Sequence, residues 1–276
     1  MADNPTVNVD AFRAFEHRAW ERSARPYHHF WTRLTLQAVE PLLSAVGIHE
    51  GMDLLDVATG QGNVAQAAAA RGARVVGLDL SAAMLAEARQ RHPHVDFCEG
   101  DAEALPFPDS RFDVVVINFG LLHFGSPERA LTEAYRVLRH GGRVGLTVWA
   151  RPEAAVGFHI MLEAIRTHGT PDVRLPEGPP FFRFSHPVES QRTLLDIGFI
   201  ASEVSTIPQR WRLDSADDLF VAFYEGTART GGLLRAQSSE ALNAIRAAVR
   251  SAAQVYEKDG LLEIPMPALL ASAVKP

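Results

Sequence analysis

Residues 54–79 read LLDVATGQGNVAQAAAARGARVVGLD, and this stretch predicts a β-α-β unit. Its first apolar residues are typical of a strand that is buried on both faces. Gly60 and Gly62 then let the backbone turn sharply and leave space for a ligand against the main chain. The alanine-rich run 64–70 predicts a helix, and a second apolar strand ends at Asp79. Both strands of such a unit end at one edge of the sheet, where open α/β sheets bind ligands.

The spacing within this unit fits two classes of cofactor. Gly60-x-Gly62-x-x-Ala65, with Asp79 placed 19 residues after Gly60, fits the fingerprint of proteins that bind nicotinamide dinucleotides. In either class, the carboxylate of Asp79 can accept hydrogen bonds from the two hydroxyls of a ribose. Asp56 separates the classes, because a dinucleotide places its pyrophosphate at this turn and a carboxylate there would repel it. A ligand with an ammonium group and a sulfonium, such as S-adenosylmethionine, suits Asp56 better.

Composition excludes several classes of protein. The chain has 276 residues, of which 47% are hydrophobic, so it can bury a sizeable core. Its formal net charge is −6 and it has no strongly basic block, so we expect no nucleic-acid partner. The single cysteine, Cys98, excludes an intramolecular disulfide and a cysteine-rich zinc site. We see no signal peptide and no long apolar run, and we therefore expect a cytoplasmic protein without a membrane span.

Three motifs carry a resemblance to a known enzyme family. The run 56–62, DVATGQG, resembles the first motif of the class I S-adenosylmethionine-dependent methyltransferases, which reads acid-x-Gly-x-Gly-x-Gly. Ala58 stands where the family has its first glycine, so we expect the backbone there to avoid positive φ. Gly100-Asp101-Ala102 resembles the second motif. The run Arg136–Arg143 is similar to the branch that methylates small molecules, which includes the ubiquinone and menaquinone C-methyltransferases.

The order of predicted elements indicates the α/β class. Counting strands gives seven, which matches that family's Rossmann-like seven-stranded sheet, whose last strand is antiparallel. We expect a helical N-terminal lid over 1–50, an S-adenosylmethionine-binding core over 51–150, and cap helices with the last core strands over 151–276. Pro26 is expected to end a first helix. A second helix is expected from His28 to Val46, an extended segment over Phe199–Leu213 that is interrupted at Pro208, and the final strand over Ile264–Val274.

The resemblance implies a role for the residues around the glycine turn. Leu80 and Met84 would border the adenine. Asp101 would accept from the adenine amino group, and the main-chain amide of Ala102 would donate to a ring nitrogen. The carbonyl of Asn118 would accept from the ammonium group. The predicted cofactor contacts are Tyr27, Asp56, Ala58, Gly60, Gly62, Asp79, Leu80, Met84, Asp101, Ala102, Asn118 and His123.

Methyl transfer from a sulfonium is a direct displacement, so alignment is the enzyme's main task. A base is needed only when the acceptor must lose a proton. His123 is the preferred base and His159 the second choice, while Tyr27 is expected to reach the methionine end of the cofactor. An aromatic-rich set of residues motivates a small, partly apolar acceptor molecule. That set comprises Phe119, Phe124, Trp149, Phe158, Phe181, Phe182 and Phe184.

Two other functions fit the sequence, and no metal site is expected. A nicotinamide-dinucleotide oxidoreductase stays open as an alternative. So does a non-catalytic cofactor-binding module, because one fold can host many functions. We predict no metal site, since the adjacent residues His28 and His29 point in different directions on a helix.

Overall fold

The computed structural model describes residues 8–276, and its first element is helix α1 (Val9–Phe30). The side chain of Asn8 caps this helix by accepting a hydrogen bond from the amide of Ala11 at 3.0 Å. The prediction that Pro26 ends the helix is wrong, because α1 continues through it. A proline inside a helix removes one backbone hydrogen bond and costs about 3 kcal/mol. Tight burial of neighbouring side chains, including Ala24, offsets that cost.

The single helix predicted from His28 to Val46 is replaced by three short pieces. The bounds are α2 (Thr32–Thr35), a 3-10 turn (Leu36–Ala38) and α3 (Val39–Ala45). Their buried faces join the hydrophobic core of the molecule.

The central part of the chain alternates strands and helices. Its elements are β1 (Asp53–Val57), α4 (Asn63–Ala69), β2 (Arg74–Asp79), α5 (Ala82–Arg91), β3 (Asp96–Glu99), β4 (Phe112–Asn118), α6 (Pro127–Val137) and β5 (Leu138–Trp149). The β-α-β unit predicted over 54–79 is confirmed as β1, α4 and β2. All five residues of β1 are buried, as expected for a strand covered on both faces.

The rest of the chain adds helices and a second group of strands. Its elements are α7 (Val156–His168), α8 (Pro187–Ile197), β6 (Ile200–Ile207), β7 (Arg210–Leu213), α9 (Ala216–Gly226), α10 (Arg229–Arg235), α11 (Ser239–Ala253), β8 (Glu257–Lys258), β9 (Leu261–Pro265) and β10 (Ala268–Val274).

Seven strands form the main sheet, in the order β3-β2-β1-β4-β5-β10-β6. Strands β1 to β5 pair in parallel, whereas β10 runs antiparallel to both β5 and β6. The predicted α/β class, with a Rossmann-like seven-stranded sheet and an antiparallel last strand, is confirmed. Strands β1 and β4 are central neighbours, so the residues that follow them meet at one edge of the sheet.

The final strand is shorter than predicted. Ile264–Val274 is divided between β9, which ends at Pro265, and β10, and Pro267 in the break has no amide hydrogen to donate to a sheet. The predicted interruption of the extended segment Phe199–Leu213 at Pro208 is confirmed, since β6 ends at Ile207 and β7 begins at Arg210, and the two strands belong to different sheets. Strand β9 pairs with β7 and β8 in a small three-stranded sheet that the sequence analysis missed.

Helices from distant parts of the chain pack against one another beside the main sheet. Helix α1 contacts α5 and α9, and α11 contacts α7 and α9. Trp31 secures this arrangement: its indole nitrogen donates to the carbonyl of Ala222 at 3.0 Å, and its ring lies 4.3 Å from that of Trp211. One continuous hydrophobic core runs from these helices to β10. Within residues 8–276, no helix is both long and apolar enough to cross a membrane.

Candidate cofactor and acceptor site

The turn after β1 has three residues in the left-handed region. Ala58 has φ +56°, Gly60 +54° and Gly62 +78°. The expectation that Ala58 avoids positive φ is wrong. The next residue, Thr59, is hydrogen-bonded to both strands of the unit. Its amide donates to the carbonyl of Leu78 in β2 at 2.9 Å, and its hydroxyl donates to the carboxylate of Asp56 in β1. These bonds hold Ala58 in a conformation that costs about 1–3 kcal/mol.

The two glycines of the turn serve different purposes. A Cβ on Gly62 would lie 2.6 Å from Cζ of Phe97, so close packing as well as positive φ requires glycine there. A Cβ on Gly60 would meet no atom within 4 Å. Gly60 therefore borders open space that a ligand can occupy against the main chain. Gly62 packs against Phe97 instead and does not line this space.

Asp56 is fully buried at the end of β1. One carboxylate oxygen, Oδ2, accepts from the hydroxyl of Thr59 at 2.6 Å and from the amide of Ala65 at 3.1 Å. Within residues 8–276, the other oxygen, Oδ1, has no hydrogen-bond partner. Burial raises the pKa of Asp56 to about 7, although the two hydrogen bonds act in the opposite direction. A buried oxygen without a partner is suited to a ligand that brings a cation or a donor.

Asp79 lies across the turn, at the end of β2. Its Oδ2 accepts from the amide of Gly60 at 2.8 Å, and its Oδ1 accepts from the amide of Ser81 at 2.9 Å. Burial raises the pKa of Asp79, and the backbone amides oppose that rise. Each carboxylate oxygen can accept two hydrogen bonds, so both retain capacity for a pair of ligand hydroxyls.

One cavity brings the predicted cofactor residues together. It has an empty volume of about 1100 Å³, part of it open solvent. Eleven of the twelve predicted cofactor contacts line it: Tyr27, Asp56, Ala58, Gly60, Asp79, Leu80, Met84, Asp101, Ala102, Asn118 and His123. The mixed apolar and polar lining is typical of a small-molecule site.

Two polar side chains that line the cavity are held by neighbours. Asp101 accepts from the amide of Glu103 at 2.8 Å and lies 3.2 Å from Nε of Arg13, which belongs to α1. Asn118 accepts from the hydroxyl of Thr147 at 2.6 Å. Their positions are thus fixed without a ligand, which lowers the ordering cost of binding one.

His123 forms a pair with Glu16, a residue that the sequence analysis missed. Nδ1 of His123 lies 3.0 Å from Oε2 of Glu16, which also accepts from the indole nitrogen of Trp20 at 3.1 Å. Glu16 is only 3% exposed. A carboxylate can only accept, so Nδ1 of the neutral ring carries the proton and Nε2 is free to take one. The available signal was an acid at helical spacing among the apolar residues of α1, on the face that becomes buried.

His159 does not belong to this site. Its side chain is exposed on α7 and lines neither the cofactor cavity nor the aromatic recess that adjoins it. The apolar residues of α7 face inward, so the polar ring points away from the cap. His159 is therefore not positioned to act as the base.

An aromatic recess opens beside His123, and its empty volume of about 430 Å³ includes open solvent. It shares Trp20, Tyr27, Phe119 and His123 with the cofactor cavity, and it is also lined by Trp31, Trp149, Phe158, Phe181, Gly226, Thr227, Arg229 and Thr230. Four of the seven aromatics expected around the acceptor line the recess, and Phe124 lines the cofactor cavity instead. Phe182 and Phe184 line neither.

The part of the chain that the structure describes contains no group of three or more histidine, cysteine, aspartate or glutamate side chains arranged to hold a metal ion.

Comparison with known proteins gives a match in the central part of the chain. Residues 55–146 match a protein-family model described as a methyltransferase domain. The resemblance inferred from the glycine turn is thereby confirmed. The match begins within β1 and ends within β5, so the matched region contains Asp56, Asp79 and His123 but not Glu16.

Curated relatives that match this part of the chain are also named as methyltransferases. The chain is 41% identical over 122 residues to a demethylmenaquinone methyltransferase of Renibacterium salmoninarum, covering 44% of this chain and 48% of that protein. It is 50% identical over 112 residues to the demethylmenaquinone methyltransferase of Thermus thermophilus, covering 38% and 51%. The chain thus spans about half the length of the curated relatives that it matches.

A solved structure extends the comparison to the whole fold. The phosphoethanolamine N-methyltransferase 2 of Haemonchus contortus, solved in complex with S-adenosyl-L-methionine, superposes with a TM-score of 0.58. The superposition covers 98% of this chain and 61% of that one at 21% identity, so it supports the fold alone.

Proposed function

We propose that the protein is an S-adenosylmethionine-dependent methyltransferase that acts on a small, partly apolar molecule. The observation that carries the proposal is the buried Oδ1 of Asp56, which lacks a partner within residues 8–276 and borders a cavity continuous with an aromatic recess. The methyltransferase domain match and the names of the relatives support the same activity.

The residues of the cavity fit this cofactor. Asp79 would hold the ribose, Asp101 and Ala102 the adenine, and Asp56 with the carbonyl of Asn118 the ammonium end. When bound, S-adenosylmethionine supplies an electrophilic methyl group on a positively charged sulfur. The same Asp56 disfavours the oxidoreductase alternative, because a carboxylate beside the turn repels a pyrophosphate.

We propose that His123 is the base for an acceptor that must lose a proton. Glu16 holds the ring through Nδ1, which leaves Nε2 to accept the proton beside both the cofactor cavity and the aromatic recess. The aromatic walls exclude water and align a flat acceptor. Alignment of the reacting groups can contribute about 7–11 kcal/mol, and a base contributes roughly 10²–10⁴-fold.

Titration calorimetry with S-adenosylmethionine and with a reduced nicotinamide dinucleotide tests the choice of cofactor. Methyl transfer is then measured over a panel of phenols and hydroquinones. We expect binding of the first cofactor only, followed by turnover. Binding without turnover on any acceptor would favour the non-catalytic module, and binding of the dinucleotide alone would reject the proposal.

A pair of histidine variants tests the base. His123→Ala should lower kcat by roughly 10²–10⁴-fold with a smaller effect on cofactor affinity. His159→Ala is the matched control, because that side chain is exposed and lies outside the site. Equal turnover in the two variants would place the base elsewhere.

A further inference from the structure

Arg229 places a positive charge at the wall of the aromatic recess. It is the first residue of α10, and its side chain lines the recess together with Phe158 and Phe181. Nη1 donates to the carbonyl of Pro179 at 2.8 Å. The guanidinium carbon lies 5.2 Å from the ring centre of Phe12 and 5.5 Å from that of Phe181.

No acid of residues 8–276 forms an ion pair with Arg229. Every carboxylate of this part of the chain lies beyond 4.0 Å from its guanidinium, and the backbone carbonyl of Pro179 is its hydrogen-bond partner. A guanidinium has five N–H donors, and a largely buried one is normally paired. Desolvation lowers the pKa of Arg229, while the charge of Glu16 opposes this. Most of the donors are therefore available to an anion that enters the recess.

A second arginine on the same helix shows the contrast. Arg235 stacks on the ring of Tyr224 and donates to the carbonyls of Tyr224 and Thr227. It does not line the recess. The open donors of Arg229 are thus a feature of its position at the recess and not of arginines in α10 generally.

The remaining walls of the recess favour a flat apolar ring. Phe181 is near both polar groups, with its ring centre 5.9 Å from that of His123 and 5.5 Å from the guanidinium carbon of Arg229. Phe119 and Trp149 stack on each other at 4.0 Å and form another wall. An aromatic ligand in the recess would therefore meet both a base and a cation.

We propose that the aromatic recess binds aromatic acids, with Arg229 pairing to an ionised carboxylate and the ring of the acid lying among the aromatic side chains. The part of the acceptor that receives the methyl group would then face His123. This inference rests on the proposed methyltransferase function and specifies its acceptor class. Arg229 lies outside residues 55–146, so the match to the methyltransferase domain does not determine this contact.

The test compares acids with their neutral methyl esters. Benzoate, 4-hydroxybenzoate and 6-hydroxy-2-naphthoate, each beside its ester, are titrated into the full-length protein in the presence of S-adenosylhomocysteine. A carboxylate paired with a guanidinium should bind roughly 10–100-fold more tightly than the ester. Arg229→Met should reduce this ratio to about one, and Arg229→Lys should retain part of it, since lysine keeps the charge without the planar fork.

Three controls make the outcomes distinct. Arg235→Met should keep the preference for acids, because that side chain does not line the recess. Thermal unfolding of each variant shows whether it is folded, and the affinity for S-adenosylhomocysteine should be the same in all of them. Equal binding of acid and ester by the wild-type protein, no binding of either, or a preference that survives in folded Arg229→Met would overturn the inference. If the wild-type protein does not bind S-adenosylhomocysteine, that result would instead count against the methyltransferase function itself.

Discussion

Replacing the buried Asp56 by asparagine should stabilise the ligand-free protein, and should do so more strongly at alkaline pH. The folded state raises the pKa of this carboxyl from 3.8 to about 7. Between these values, the unfolded chain releases the proton while the folded protein keeps it. Folding stability therefore falls as pH rises through this window and is level above it.

The magnitude follows from the two pKa values. One pKa unit corresponds to about 1.4 kcal/mol, so the ionised form of Asp56 costs the folded protein about 4 kcal/mol at pH 8. About 3 kcal/mol of this cost arises between pH 5 and pH 8. The asparagine side chain of the variant would be neutral throughout, and its oxygen could still accept from Thr59 and Ala65. The stability gain of Asp56→Asn should therefore increase by about 3 kcal/mol between the two pH values.

Urea unfolding followed by circular dichroism, at pH 5 and at pH 8, measures this difference. Asp53→Asn is the control. Arg74 and Arg139 hold the pKa of Asp53 well below its usual range, so that carboxyl is ionised at both pH values and its substitution should have a constant effect. A gain for Asp56→Asn that is the same at both pH values, or a loss at pH 8, would refute the reasoning. The substitution should also weaken S-adenosylmethionine binding by tenfold or more, because the ammonium group loses a charged partner.

Three further predictions concern other residues of the site. Asp79→Ala should weaken S-adenosylmethionine binding by roughly 10²-fold or more in calorimetry, because two charge-assisted hydrogen bonds are lost; an unchanged Kd would reject the ribose contact. Glu16→Ala should lower kcat by roughly 10²-fold, because Nδ1 of His123 loses the acceptor that orients the ring and leaves Nε2 free; normal turnover with an unchanged pH profile would contradict this. Gly62→Ala should destabilise the protein by roughly 2–4 kcal/mol in urea unfolding, and Gly60→Ala by only about 1–2 kcal/mol, since only the first adds a close contact to the strain of positive φ; equal losses would show that packing behind the turn is unimportant.

The sequence predicted the parallel half of the sheet well because its signals are local. The apolar strand, the glycines and the alanine-rich helix of 54–79 follow each other without a break, and each favours the structure that it forms. The error at Ala58 had a different origin. A propensity describes one residue, whereas the positive φ of Ala58 is imposed by the hydrogen bonds of Thr59 to both strands of the unit.

The elements that were missed depend on contacts between distant parts of the chain. Pro26 does not end α1, because packing of that helix against α5 and α9 outweighs the local preference. The small sheet joins β7 to β9 across about fifty residues, which no local pattern records. Glu16 pairs with His123 across 107 positions, so neither residue signals the other in the sequence.

The walls of the aromatic recess come from segments that are separate from the strands carrying Asp56 and Asp79. Helix α7 supplies Phe158 and α10 supplies Arg229, and neither residue lines the cofactor cavity, whereas the carboxylates end two neighbouring strands. Under the proposed function, substitutions in these two helices change acceptor choice without weakening binding of the methyl donor. A directed-evolution library restricted to α7 and the start of α10 should accordingly be rich in variants that accept new molecules and still bind the donor.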